Sequence, residues 1–171
     1  MMRWAPLILL GLLTACSHTP QWPADDRCAQ AMAPSGLLQV RSDRGRHNLV
    51  VHREPNAEGI TYVALDAIGA PQFTATQTPA GFTVEQSPLY RGVDPQWLLW
   101  GWHWWQMRER LSLVCANTAG LDLQPTSDSA GWQLQRHGRN LWRWSRSQPD
   151  QYELPQQQAR ITVRELEVTI E

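Results

Sequence analysis

Between Leu37 and Gln86 the chain runs only a few residues at a time without a turn signal, and this spacing constrains the fold more than any other feature. Short alternating apolar runs cover 37–41, 46–53, 60–65, 72–77 and 82–86. Between them lie Ser42-Asp43-Arg44-Gly45, Glu54-Pro55-Asn56, Asp66-Ala67-Ile68-Gly69-Ala70-Pro71 and Thr78-Pro79-Ala80-Gly81, and Ser87-Pro88 closes the last run. Alternation of period two puts successive side chains on opposite faces of a strand. The Gly, Pro, Asn and Asp clusters supply turn geometry. A parallel pair needs a crossover of about a dozen residues or more, and none fits here. The stretch therefore predicts five strands in an antiparallel meander.

Asp94-Pro95 then opens a segment of different period. Asp is a good N-cap, and Pro suits the first helical position because its missing N–H needs no partner there. The spacing predicts a helix over 96–111. Trp97, Trp100, Trp104, Met107 and Leu111 follow one another at intervals of three and four and form one stripe. Leu98 and Trp105 widen that face, and Arg108 flanks it. Gln106, Glu109 and Arg110 lie opposite, and Leu99 and Trp102 fall on this otherwise polar side.

After the helix, 112–116 and 121–124 read as strands. Residues 131–136 and 139–146 flank His137-Gly138, a tight hairpin turn. A Gln- and Pro-rich loop over 147–158 precedes a final strand, 159–170. Within that strand Ile161 and Val163 share one parity while Leu166, Val168 and Ile170 share the other. The flip near Arg164-Glu165 predicts a bulge or bend.

The N-terminus predicts a compartment. Arg3 gives a positive start, and 5–13 is an apolar stretch far shorter than the about 20 residues that span a bilayer. Leu13-Thr14-Ala15-Cys16 follows and resembles the lipobox of bacterial lipoproteins. That resemblance implies cleavage of a signal peptide over 1–15 before Cys16. The Cys sulfur then takes a diacylglycerol and the new amino group an acyl chain such as palmitate. Ser17, where Asp would retain a lipoprotein in the inner membrane, implies the outer membrane, with the domain at its periplasmic face. Several acyl chains anchor firmly. Residues 16–35 form the tether and 36–171 the folded domain.

With Cys16 assigned to the anchor, Cys28 and Cys115 remain, either bridged in an oxidising periplasm or as two separate buried thiols. All 15 basic residues are Arg. The absence of Lys excludes P-loop NTPases, Schiff-base enzymes and Ser–Lys hydrolases, which need an amine at the reacting centre. A net charge of -1 gives no footprint for nucleic acid. The 5 His form no zinc pattern, no Cys pair has ligand spacing, and no G-x-S-x-G elbow occurs. His103, inside the Trp cluster, reads as a polar residue at a helix edge. The expectation is a non-enzymatic protein with no metal and no cofactor.

The strand Val63-Ala64-Leu65 with its Ala67-Ile68-Gly69 turn, the strand Gln72-Phe73-Thr74, the Trp-rich helix and Gly131-Trp132-Gln133-Leu134 carry a wider resemblance. Together with the lipobox and the terminal strand, they resemble a family of bacterial outer-membrane lipoproteins of unassigned function, often found beside aryl polyene gene clusters. That family is similar to the LolA/LolB lipoprotein carriers. The resemblance implies a mainly β fold with one principal helix: a half-open antiparallel barrel covered by the apolar helix. It also implies that Ile68, in the turn between two early strands, contacts membrane or cargo.

Three readings of the indoles follow. They fill the core; or Trp97, Trp100, Trp104, Met107 and Leu111 line a cavity for an acyl chain or polyene; or Leu99 and Trp102 meet the bilayer interface. The function expected is binding or transfer of a hydrophobic, lipid-like ligand or a lipoprotein. The alternative is a scaffold lipoprotein of an envelope assembly with no ligand cavity.

Overall fold

The computed structural model describes Pro20, Trp22, Cys28 and residues 33–166. The signal-peptide and lipobox readings, the Cys16 anchor and most of the tether lie outside the described residues, as does the end of the last expected strand. Ten strands form one antiparallel sheet. The first five are β1 (Ser35–Ser42), β2 (Gly45–Asn56), β3 (Gly59–Leu65), β4 (Pro71–Thr78) and β5 (Gly81–Gln86). Helix α1 (Pro95–Gln106) and the short α2 (Leu113–Thr118) follow. A second meander completes the sheet: β6 (Asp122–Pro125), β7 (Gly131–Arg136), β8 (Arg139–Ser145), β9 (Gln148–Leu154) and β10 (Ala159–Glu165). The spatial order is β5-β4-β3-β2-β1-β10-β9-β8-β7-β6. Two meanders thus join edge to edge through the β1–β10 pair, and among the described residues β5 and β6 are the edges of an unclosed sheet.

Helix α1 links those halves and packs against β4 and β5 at one end of the order and β9 near the other. Strands sit about 4.8 Å apart, so a flat sheet would hold these contacts far wider than a helix's diameter of about 10–12 Å. The sheet must curl around the helix. Two glycines allow the close approach. A Cβ on Gly36 of β1 would lie 3.0 Å from Trp102 Cζ2, and one on Gly101 would lie 2.5 Å from Tyr152 Cε2 of β9. Every residue from Trp97 to Trp105 is buried, as for a helix apolar on all sides.

Three local expectations are corrected. The helix stops at Gln106 rather than Leu111. The Arg108 guanidinium lies 3.8 Å over the Trp105 ring and donates to Trp105 O at 2.9 Å, covering an end carbonyl. Residues 112–116 are not a strand: the Ser112 hydroxyl accepts from Cys115 N and starts α2. Most of 147–158 is not a loop but β9, which buries Tyr152 and Leu154 on alternate positions, followed by a 3-10 turn at Pro155–Gln157. Strand β10 spans Ala159–Glu165, and the rest of the expected strand over 159–170 falls outside the described residues beyond residue 166.

Cys28 and Cys115 are joined in a disulfide with Cα atoms 5.8 Å apart, which ties Cys28 to α2. Trp22 stacks on Phe82 of β5 with centroids 5.6 Å apart and sets its edge against His103 of α1 at 5.3 Å. Trp22 therefore packs beside the β5 edge.

Candidate functional site

The first turn of α1 is fixed by Asp94, whose Oδ1 accepts from Gln96 N at 2.8 Å and Trp97 N at 3.3 Å. The body of the helix is pinned to the second meander by two side chains. Tyr152 OH donates to Leu98 O at 3.0 Å, and Trp142 Nε1 donates to Gly101 O at 3.1 Å. These bonds set Trp97 beside the β7–β8 hairpin.

That hairpin turns on His137 and Gly138, with φ of 51° and 73°. Two successive positive φ values are the signature of a type I′ turn, whose twist matches the flanking strands. Gln156 of the 3-10 turn donates through Nε2 to Asn140 O at 3.3 Å and draws that turn against β8.

A half-enclosed cleft of about 540 Å³ lies between these elements, lined by Trp97, Arg136, His137, Arg139, Leu141, Gln156 and Gln157. Trp97 and Leu141, 9% and 8% exposed, form its apolar wall. Two arginines, a histidine and two glutamines supply the polar groups among the described residues.

Of the expected cavity-lining residues, Trp97 alone borders this cleft. Trp100 and Trp104 are fully buried, and the stripe forms a run of edge-to-face contacts: Trp97–Trp100 at 5.3 Å and Trp100–Trp104 at 6.1 Å. Such T-shaped geometry matches the positive ring edge to the negative face. Met107 is half-buried at the helix end. Leu111 lines a different hollow of about 440 Å³ with Trp132 and Trp144. Leu99 and Trp102 do not lie on an exposed face: both are fully buried, because the curled sheet covers the side of α1 that the sequence pattern left to solvent. They have no surface to offer a bilayer.

Ile68 is 89% exposed at the tip of the β3–β4 turn, where Asp66 Oδ1 accepts from Ile68 N and Ala70 N. Leu89, not singled out from the sequence, is 85% exposed on the segment after β5. Ser87 N donates to Gln72 O at 2.9 Å, so the two loops leave the same end of neighbouring strands.

His103 is buried, not at a helix edge, and burial, aided by the Arg53 charge, holds its pKa down to about 3. A neutral imidazole in a core of indoles is packing rather than acid–base machinery. Burial pushes the hydroxyls of Tyr152 and Tyr90 up, and both donate to backbone carbonyls, at Leu98 and Val93. Among the described residues, no three His, Cys, Asp or Glu side chains gather as a metal site.

No protein-family profile matches the chain, and neither a curated protein nor a solved structure does so.

The arginines that line the cleft were missed in the sequence. The signal was present: a two-residue turn at His137-Gly138 places Arg136 directly opposite Arg139, as the register has them. Their approach to Trp97 is a tertiary fact that no local pattern encodes.

Proposed function

We propose that this chain is an outer-membrane-anchored lipoprotein, held by acylated Cys16, that binds or transfers a hydrophobic, lipid-like ligand at the periplasmic face. It is read as non-enzymatic, and the unclosed sheet around one apolar helix supports a carrier of the LolA/LolB type. One observation carries the ligand reading: the about 540 Å³ cleft in which Trp97 and Leu141 surface beside convergent polar groups. Concave, mainly apolar sites with a few polar groups are where small ligands bind.

The site lies at the N-terminal end of α1 rather than along the whole indole stripe. The interior indoles set the stiffness of that wall, and Trp97 and Leu141 present the apolar surface. Burial of a tail there is non-directional, about 25 cal/mol for each Å² removed from water. Mild extraction of the full chain followed by mass spectrometry of co-purified lipid tests the reading. A stoichiometric amphiphile, lost in Leu141→Asp with the fold intact, supports it; a lipid-free protein that also ignores fluorescent fatty acids contradicts it.

The scaffold reading has its own observation. Ile68 and Leu89 are exposed on adjoining loops, and β5 is an edge strand exposed along most of its length. Exposed apolar side chains beside an open edge are features of protein-contact surfaces. Ile68→Glu with Leu89→Glu, expected to abolish co-isolation of an envelope partner while leaving amphiphile binding intact, separates the two readings.

A further inference from the structure

The described residues ahead of β1 meet α1 in a fixed order. Ala33 N donates to the Gln106 side chain at the C-terminal end of the helix, and Trp22 sets its edge against His103. Pro20 lines one hollow of about 390 Å³ with Trp22, Gln96 and residues 77–82 of the β4–β5 hairpin. Read back toward the N-terminus, these contacts move from the last turn of α1 to its first.

Gln96 and Trp97 are consecutive residues of that first turn, and Trp97 walls the cleft. The hollow at Pro20 and the cleft therefore flank one helix end, a body about 10–12 Å across. Cys16, the expected anchor, lies only a few positions before Pro20. Extended chain spans at most about 3.6 Å per residue, so Cys16 enters the headgroup layer within about 14 Å of Pro20.

Ile68 and Leu89 lie at the other end of the same strands. Strand β4 has 8 residues, and at about 3.3 Å each they put the Ile68 turn about 25 Å from the β4–β5 turn. A bilayer seated end-on against Ile68 and Leu89 is out of reach of so short a tether. The anchored end suits a lipid surface. The turn Thr78-Pro79-Ala80-Gly81 carries no charge, and His137 and Arg139 are exposed on the β7–β8 hairpin beside the cleft. Basic side chains are drawn to anionic headgroups.

We propose that the N-terminal end of α1 is the end this domain turns to the bilayer of its own anchor. The Trp97 cleft then opens against the headgroups, and an amphiphile passes between bilayer and cleft without crossing the periplasm. Ile68 and Leu89 point away from that bilayer. The inference rests on the anchor and ligand readings above and adds the side from which the ligand enters.

The test uses the full acylated chain in nanodiscs of phosphatidylcholine and phosphatidylglycerol that carry a nickel-chelating lipid. Spin labels are placed singly at Ala80→Cys, Arg139→Cys, Ile68→Cys and Leu89→Cys, all exposed positions. Headgroup nickel should relax the labels at 80 and 139 several-fold faster than those at 68 and 89. Lengthening the tether by a flexible Gly-Ser insert ahead of Pro20 should erase that contrast. It should also slow transfer of a fluorescent fatty acid from bilayer to protein several-fold, with the melting temperature unchanged. Stronger relaxation at 68 and 89, or equal relaxation at all four positions, overturns the orientation. Transfer indifferent to the insert overturns direct passage. A chain that shows the contrast but takes up no fatty acid overturns the ligand reading and leaves the orientation standing. A chain with no lipid on Cys16 overturns the anchor reading and the orientation with it.

Discussion

Two hollows of similar size lie on either side of the 3-10 turn at Pro155–Gln157, and their chemistry differs. One, about 500 Å³, is lined by Arg41, Arg143 and Arg160 around Glu153, and Pro155 and Gln158 close it. The other, about 540 Å³, takes Gln156 and Gln157 from the same turn but has Trp97 and Leu141 for a wall, with Arg136, His137 and Arg139 beside them. The first holds one carboxylate among three guanidiniums and has no aromatic wall. In the second, polar side chains and apolar surface face outward together. Hollow size alone does not make a ligand site; polar side chains converging beside an indole wall do.

The largest effect expected falls outside both hollows. Replacing Cys28 and Cys115 together by Ser removes a crosslink across a sequence separation of 87, worth about 4–5 kcal/mol in the chain-entropy model. Urea titration should show that loss, while the refolded variant keeps the difference in dodecanoate binding between the hollows. Loss of that difference would tie the second hollow to the clamp on α2 rather than to α1.

Next comes the support of Trp97. Gly101→Val drives a branched side chain toward Tyr152 Cε2, 2.5 Å from the ideal Cβ position, and toward Leu154 Cδ2 at 3.0 Å. We expect a destabilisation of about 3 kcal/mol and loss of dodecanoate binding, because α1 must lift from β9. The exposed Glu153 ion pairs with Arg143 and Arg160 should persist in a crystal structure of the variant.

Acid acts on the interior rather than on either hollow. The folded His103 stays neutral down to about 3, against an ordinary value of 6.5. Between those values the unfolded chain binds a proton that the folded chain refuses, so stability falls as pH falls through that window. The slope is about 1.4 kcal/mol for each pH unit. Chemical denaturation at several pH values from 7 to 4 should show this slope, and His103→Gln should remove it. A wild-type slope that survives the substitution would place the acid sensitivity elsewhere.

The smallest effect is the most pointed for the comparison. Glu153→Gln leaves Arg143 and Arg160 without their carboxylate, at a stability cost under about 1 kcal/mol for such exposed pairs. The polar hollow should then gain weak, salt-sensitive binding of inorganic phosphate, seen as NMR shifts of the arginine side chains. It should gain no affinity for dodecanoate over acetate, since it lacks an indole wall.

Much of this arrangement was legible in the chain. The first meander follows from turn residues at Asp43-Arg44, Asp66–Pro71 and Thr78–Gly81, since local signals suffice where strands are consecutive. Strand β9 was not legible: Gln148, Asp150, Gln151 and Glu153 are polar, and only Tyr152 and Leu154 point inward. Leu113 and Val114 read as strand formers, but the Ser112 cap and the Cys115 bridge hold them in a helix with both side chains exposed. Leu99 and Trp102 were misplaced because a helical wheel assumes one covered face, whereas a curled sheet covers nearly all of α1. Of the stripe, Trp97, Trp100 and Trp104 lie on α1, Met107 caps its end and Leu111 falls beyond it, and the site takes one residue from it. The charged half of the site required the β7–β8 register and the docking of α1, both tertiary.

The central claim is that an apolar tail lies against Trp97 and Leu141. A diazirine-tailed fatty acid, photolysed with the full chain in nanodiscs and mapped by peptide mass spectrometry, tests it directly. Labels concentrated on the peptides that carry Trp97 and Leu141, and competed away by dodecanoate, are the predicted result. Labels confined to the Ile68 and Leu89 loops, or scattered without competition, would contradict it.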